Sequence, residues 1–271
     1  MMLENGKSFK KICVVGCGNM GGALIRGLSI SKIRDSIQLI GIDKNIEKLN
    51  ALPLDIRETD LTNFSSFVDS ETLVILAVKP KVTIETLRKI LTLKQTGYSL
   101  ASFSALNTSV EIRSVIGADL EFSRIMSNLP IGIGSGSSAV YSDSDQASNK
   151  VCEILSYVGK VVKVSSEEQF NLFTAMVGCG PGFIAEIIRS LIVAFERAGY
   201  DKSQVDSTVF ALLEGSFKDM QSKRCDPASY ISSVATPGGV TEAEVLRLRS
   251  EKLEDVFFNA LNDGINKLNI K

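Results

Sequence analysis

Histidine is absent from this 271-residue chain. The absence removes the side chain that most often serves as a general base near neutral pH. It also argues against a zinc site, because Cys13 and Cys17 have no second cysteine pair and no histidine to complete a tetrahedral set. The five cysteines are odd in number and scattered, with no framework spacing, so they read as small buried hydrophobes of a protein kept in a reducing, cytoplasmic compartment. Excess charge is missing too. A formal net charge of -1 gives no electrostatic reason to expect nucleic acid or an anionic membrane. No uninterrupted apolar stretch reaches the roughly 18 to 20 residues of a membrane helix, which predicts a soluble chain without a membrane partner. Val14-Val15-Gly16-Cys17 has the look of a lipoprotein cleavage box. The charged Lys10-Lys11 pair leaves only Ile12 to Val15 before it, and a signal peptide needs an apolar region of about 7 to 15 residues. Internal repeats are also lacking.

What is present is ordinary globular composition, 44% apolar and 23% charged, at a length that suggests two domains. Short apolar, β-branched runs at Ile12–Val15, Ile37–Ile42, Leu73–Val78, Tyr98–Phe103 and Phe122–Met126 alternate with amphipathic stretches. That alternation is the pattern of parallel βαβ units covered on both faces. The stretch Gly132–Ser144, rich in Gly and Ser, reads as the loosest part of this half. Beyond Ser165 the patterns are helical: Glu167–Met176, Pro181–Ala198, Ser203–Lys223, Pro227–Val234, Thr241–Arg249 and Leu253–Leu268. Gly199 suits a left-handed helix stop, and Asp201 with Gln204 suits a cap for the next helix. The expected fold is therefore α/β: an N-terminal Rossmann-like dinucleotide-binding domain, residues 1–164, followed by an all-α dimerisation and substrate-binding domain, residues 165–271. Ile184, Ile187, Ile188, Leu191, Ile192 and Phe195 span a wide apolar arc, which predicts a homodimer or larger assembly. A helix central to its own bundle explains the same arc.

Gly16, Gly18 and Gly21 satisfy G-x-G-x-x-G, a weak pattern alone. Its position strengthens it, because the loop follows an apolar strand and opens a helical stretch beginning near Ala23, where a dinucleotide pyrophosphate would sit on backbone amides. Asp43 ends the second strand 22 positions beyond Gly21, close to where an acidic residue receives the adenosine ribose hydroxyls. Its carboxylate favours NADH, whereas Lys44 could hold the extra phosphate of NADPH, so the expected cofactor is NAD(P)H.

Without histidine, and with no lysine between Ser165 and Gly182, the chain lacks an evident base for alcohol oxidation at the domain junction. A cyclic imine needs none. Its ring nitrogen takes a proton from water and its carbon accepts hydride from reduced nicotinamide, which leaves the protein to supply position, dryness and an anchor. Val234-Ala235-Thr236-Pro237-Gly238-Gly239-Val240-Thr241 offers such an anchor, since glycines at a helix start expose amides to a carboxylate. An interhelical turn capped by Thr241 fits the same residues.

Five segments together resemble the pyrroline-5-carboxylate reductase family over nearly the whole chain: Gly16-Cys17-Gly18-Asn19-Met20-Gly21, Val74-Ile75-Leu76-Ala77-Val78-Lys79-Pro80, Arg124-Ile125-Met126-Ser127-Asn128, Gly178-Cys179-Gly180-Pro181 and Thr236-Pro237-Gly238-Gly239-Val240-Thr241. The resemblance implies reduction of 1-pyrroline-5-carboxylate to proline with NAD(P)H, in a site between a Rossmann domain and an interleaved helical dimer. It places Gly16, Gly18, Asn19, Met20, Gly21, Ala77, Lys79 and Pro80 at the cofactor and Asn128 near the nicotinamide. Thr236, Gly238, Gly239 and Thr241 would hold the substrate, with Thr241 catalytic beside the ring nitrogen. As residues alone, Lys79 also reads as a solvated strand end and Asn128 as a turn residue. The sequence departs from the family at Ser127, at Leu129, around Leu106 and at Glu244. A reductase of a related imine or keto acid, and a noncatalytic dinucleotide-binding relative, are the alternatives.

Overall fold

The computed structural model describes residues 9–269. Eight strands form one sheet: β1 (Lys11–Val15), β2 (Gln38–Ile42), β3 (Ile56–Glu58), β4 (Thr72–Leu76), β5 (Ser99–Ser102), β6 (Phe122–Met126), β7 (Gly136–Tyr141) and β8 (Gly159–Lys163). Between them run α1 (Asn19–Ser29), α2 (Ile46–Asn50), α3 (Phe64–Phe67), α4 (Pro80–Leu93), α5 (Ser109–Ile116) and α6 (Asp145–Ser156). The order is β3-β2-β1-β4-β5-β6-β7-β8, parallel throughout except that β6 and β7 are antiparallel. β1 and β4 are central neighbours although β2 and β3 intervene in sequence, so the chain reverses direction across the sheet between them. Ligands of open α/β sheets bind outside the carboxyl ends of strands at such a reversal.

Alternation along the strands builds two cores. Ile12 and Val14 of β1 and Leu73 and Ile75 of β4 join Leu24, Leu28 and Ile154 on one face. Cys13, Val15, Val74 and Leu76 join Phe64, Leu87, Ile90 and Ile112 on the other. Both faces are thus covered by helices, which is why these strands read as unbroken apolar runs.

Three strands escaped the sequence reading. β7 lies within Gly132–Ser144, so the segment expected to be loosest is a paired strand between two neighbours. Its glycine is there for close approach, since a β-carbon on Gly136 would stand 2.8 Å from Ile131 Cβ and one on Gly159 would meet the Gly136 backbone. Hydroxyls replace the missing apolar signal: Ser138 donates to Ser127 Oγ at 2.8 Å, and Ser127 donates to the Ser137 carbonyl at 3.3 Å.

Arg34 clamps Asp55 through Nη1 at 3.1 Å and Nη2 at 2.7 Å, and the Leu39 amide donates to the same carboxylate at 2.7 Å. The guanidinium, then the Leu39 amide, hold the Asp55 carboxyl below its ordinary range against the opposing effect of burial. A carboxylate depressed in the folded state contributes stability above its unfolded pKa of about 3.9, and that contribution is lost as pH falls through the folded value. Asp55→Asn is therefore expected to be less stable than wild type at pH 7, by a margin under about 1 kcal/mol because the side chain is 34% exposed. Urea melts should show the two proteins converging below about pH 4. An undiminished gap in acid would exclude the pairing as its source.

Past β8 come α7 (Glu167–Phe173), a wide π-helical turn at Thr174–Gly178, α8 (Gly180–Arg197), α9 (Val205–Lys223), α10 (Pro227–Val234), α11 (Val240–Ser250) and α12 (Leu253–Asn269). The sheet ends at Lys163, beside the expected boundary at 164/165, but the chain divides into compact units at Pro181 and Gly182. Helix α7 stays with the sheet because Phe170 and Thr174 are buried there and Glu167 pairs with Arg124 of β6. Gly199 ends its helix at φ 95° as expected. The cap after it differs. Gln204 stands at the N-cap without a side-chain cap bond, and Asp201 Oδ1 accepts instead from the Ser203 amide and hydroxyl, both at 2.8 Å.

In the second unit, Gly182–Asn266, only Val205 and Val209 are buried. Phe210, Phe217, Val256 and Phe258 are each more than half exposed. Exposed ion pairs such as Glu186–Arg189 and Glu214–Lys218 are screened by water and contribute too little to replace an interior. The helical run Glu167–Arg197 also contains an 18-residue window of mean hydropathy 1.5, so by length and composition it is apolar enough to cross a membrane. An uncovered helix passes that test whether a bilayer or another subunit covers it.

Candidate active site

The loop after β1 turns at Gly16, whose φ of 97° favours glycine and whose amide donates to the Ile42 carbonyl at 2.8 Å. A β-carbon there would stand 2.8 Å from the Ala77 carbonyl and the Val78 nitrogen, so the turn is pressed against the end of β4. A β-carbon on Gly21 would fall on the Gly16 carbonyl oxygen, whereas one on Gly18 meets nothing within 4 Å. Two of the three glycines are thus fixed by packing, and the third faces open space. Gly18 caps α1 without a side-chain bond, which leaves the first amides of that 11-residue helix to an outside acceptor.

That open space belongs to a cavity of about 780 Å³ lined by Gly16, Gly18, Asp43, Lys44, Ala77 and Lys79 among the residues expected from sequence. Lys48, Thr59, Asp60, Val82, Thr86 and Lys89 also line it and were not foreseen. Lys48 was legible, one helical turn after Lys44; the others lie on a loop and a helix whose approach to the glycine loop depends on strand order. Gly21 sits beneath the turn and Met20 beside it, half-buried, while Asn19 is exposed at the start of α1. Lys79, exposed, is the N-cap of α4, and Pro80 is its first residue, where the missing N–H costs nothing.

Asp43 does not project freely into the cavity. Its Oδ2 accepts from the Cys17 amide and its Oδ1 from the Asn45 amide, each at 2.9 Å, so the carboxylate braces the glycine loop against the end of β2. Cys17 itself is buried, and burial first, then the Asp43 charge, pushes its thiol up to about 12. It is a packing group. Cys179, by contrast, is exposed, which corrects the reading of every cysteine as buried.

Asn128 makes both of its side-chain hydrogen bonds among the described residues inside its own unit. Its Oδ1 accepts from the Ser137 amide at 3.0 Å and its Nδ2 donates to the Val177 carbonyl at 3.3 Å. Val177 lies in the π turn, and its carbonyl also accepts a backbone amide at the end of that turn. Asn128 lines no part of the cavity. Nearby, the Arg124 guanidinium, 1% exposed, pairs with Glu167, donates to the Ser104 and Ala105 carbonyls at 3.2 and 3.1 Å and lies 4.0 Å over the Phe170 ring. This hub had no sequence signal beyond the Arg124 motif.

The second motif forms the turn between α10 and α11. Gly238 has φ 72°, and the Gly239 amide donates to the Thr236 carbonyl at 2.8 Å. Gly239, not Thr241, is the N-cap, which removes the capping role considered for Thr241. The Gly238 amide is taken by the Glu242 carboxylate at 2.7 Å. A carboxylate therefore already sits on one amide of the turn. The Val240, Thr241 and Glu242 amides and the Thr241 hydroxyl have no partner among the described residues. Thr236 and Gly238 are exposed and Thr241 is half-buried. Of the departures, Ser127 is the buried hydroxyl tied to β7, while Leu106, Leu129 and Glu244 are exposed.

A glycine loop opening a parallel sheet at its reversal, followed by a helical array with almost no interior, defines a Rossmann-type oxidoreductase carrying an association domain. Residues 11–105 match the family model "NADP oxidoreductase coenzyme F420-dependent", and residues 167–269 match "Pyrroline-5-carboxylate reductase dimerisation". The pyrroline-5-carboxylate reductase of Aquifex aeolicus is 28% identical, over 93% of this chain and 94% of its own. The solved 1-pyrroline-5-carboxylate reductase of Streptococcus pyogenes superposes with TM-score 0.78 at 27% identity, covering 95% of this chain and 97% of that one. The Plasmodium falciparum pyrroline carboxylate reductase, solved with NADP bound, shares the fold at TM-score 0.79 and 21% identity, covering 95% and 98%. Over most of its length the chain is thus similar to pyrroline-5-carboxylate reductases, and its helical region carries the dimerisation domain of that family.

Proposed function

We propose that this chain reduces 1-pyrroline-5-carboxylate to L-proline with NAD(P)H, as a homodimer or larger assembly in the cytoplasm. The observation that carries the reading is the extent of the likeness: it runs through the glycine loop and the helical region together, over 93% of the chain. The glycine-loop cavity fits a dinucleotide, because Gly18 leaves open exactly the space a β-carbon would fill. Reduced nicotinamide, when bound, supplies the hydride. The chain's own part is positional. The opening amides of α1 hold the pyrophosphate, and Ala77, Lys79 and Pro80 border the cofactor at the end of β4.

The amides opening α11 and the turn at Thr236–Gly239 hold the substrate carboxylate. The Thr241 hydroxyl, free of internal partners, hydrogen-bonds the ring nitrogen. No histidine is needed, since the nitrogen takes its proton from water. Supplying pyrroline-5-carboxylate to the purified protein should oxidise NAD(P)H, followed by absorbance; cofactor binding without oxidation would refute the activity. Thr241→Ala is expected to lower kcat/KM by about tenfold or more, one lost hydrogen bond in the transition state, with cofactor affinity retained. No loss with pyrroline-5-carboxylate, or an equal loss with a keto acid that has no ring nitrogen, would remove Thr241 from the reacting centre. Solution mass at micromolar concentration tests the assembly, a monomer counting against it.

A further inference from the structure

The turn between α10 and α11 holds an acid of its own. Gly239 is the N-cap of α11, and an acidic residue at the third helical position, here Glu242, ordinarily reaches back to the N-cap amide. That amide is already taken, since Gly239 donates to the Thr236 carbonyl at 2.8 Å. The Glu242 carboxylate instead goes one residue further out and accepts from the Gly238 amide at 2.7 Å. Gly238, at φ 72°, lies in the turn and outside the helix. Glu242 has no ion-pair partner among the described residues, so its charge is met by main-chain nitrogen.

The unpartnered amides of Val240 and Thr241 adjoin that contact. A substrate carboxylate brought to this turn meets a group of its own kind already seated, and the two like charges repel. We propose that Glu242 is a specificity-determining residue: in the free protein its carboxylate occupies the seat of the substrate carboxylate, and the acid group of a cyclic imino acid must exchange with it. The inference rests on the reading that this turn holds the substrate carboxylate. Exchange keeps the Gly238 amide in a charge-assisted bond before and after, so what the substrate has to overcome is the occupancy of the internal contact. A contact formed about nine-tenths of the time lowers the apparent affinity about tenfold. A neutral cyclic imine has no acid group to seat and is indifferent to it, so Glu242 narrows the preference for acid-bearing over neutral imines.

Steady-state kinetics of the purified full-length protein with NAD(P)H in excess, on pyrroline-5-carboxylate and on unsubstituted 1-pyrroline, test it. The variants are Glu242→Gln, which keeps the shape without the charge, and Glu242→Ala, which preserves helix propensity. Each should lower KM for pyrroline-5-carboxylate by about three- to tenfold, with the effect in KM rather than kcat, and move KM for 1-pyrroline by less than about twofold. An unchanged or raised KM for the acid would overturn the exchange. So would an equal fall for both imines, which marks a cap whose loss reshapes the whole turn. Where either imine is not turned over, calorimetric titration with cyclopentanecarboxylate, a saturated ring acid, in the presence of NAD(P)H decides. Tighter binding by both variants than by wild type upholds the exchange, and equal, weaker or absent binding overturns it. A wild type that oxidises NAD(P)H with neither imine refutes the proposed activity and leaves this titration to judge Glu242.

Discussion

Gly18→Val is expected to raise the Kd for NAD(P)H by about a hundredfold while leaving the melting temperature within a degree or two. Residue 18 has φ -75° and ψ -155°, an extended conformation outside the left-handed region, and a β-carbon there meets no protein atom within 4 Å. The folded chain therefore has room for a β-carbon at this position. The ligand does not, because the branch stands over the amides at the start of α1 and keeps a pyrophosphate from reaching them. Losing about two charge-assisted hydrogen bonds amounts to roughly 3 kcal/mol, or two decades in affinity. Gly21→Val is the control, since its β-carbon would collide with the Gly16 carbonyl inside the loop. That protein should fail to fold, or melt far below wild type. A cofactor titration and a thermal melt on each variant separate the two glycines. Wild-type affinity in Gly18→Val would mean that the phosphates lie elsewhere.

Glu167→Ala is expected to cost about 3 kcal/mol, a fall in Tm of roughly 6 to 12 °C for a unit of this size. Arg124 is 1% exposed, and Glu167 is its only carboxylate partner within ion-pair distance among the described residues. Truncation takes the paired carboxylate from a guanidinium buried over Phe170 and leaves only the weaker influence of Glu111, while burial already presses its pKa down despite Glu167. It also strips the Ser109 amide at the start of α5 of its acceptor, the second Glu167 oxygen at 2.8 Å. Arg189→Ala, which breaks an exposed pair with Glu186, should leave the melt nearly unchanged. A Glu167→Ala melt as mild as that one would show that water reaches Arg124 and that the buried charge is not at stake.

The elements read correctly from sequence are those whose cause is local. β1 and β4 are apolar on both sides because both sides are covered, and Gly16 is a glycine because a single turn demands it. β7 was illegible because its reasons are distant: Gly136 is small for the sake of Ile131, and Ser138 is polar for the sake of Ser127. Asp43 marks the same limit within the site. Its position at the end of β2 could be counted from Gly21, but its two oxygens are claimed by Cys17 and Asn45, and only coordinates reveal where lone pairs point. The resemblance places Asn128 near the nicotinamide, and its side-chain amide also donates to the Val177 carbonyl of the π turn, a contact that no motif marks. The helices of the second unit announced themselves through period and caps. Their exposure did not, since an apolar arc looks the same whether its cover comes from its own chain or from elsewhere.

That second unit, with Val205 and Val209 as its whole interior, has a thermodynamic consequence. A segment whose apolar side chains are sheltered by association draws its folding free energy from mass action, so its melting point moves with protein concentration while the sheet's does not. Dilution alone would then separate two unfolding events in a chain that, when concentrated, melts as one.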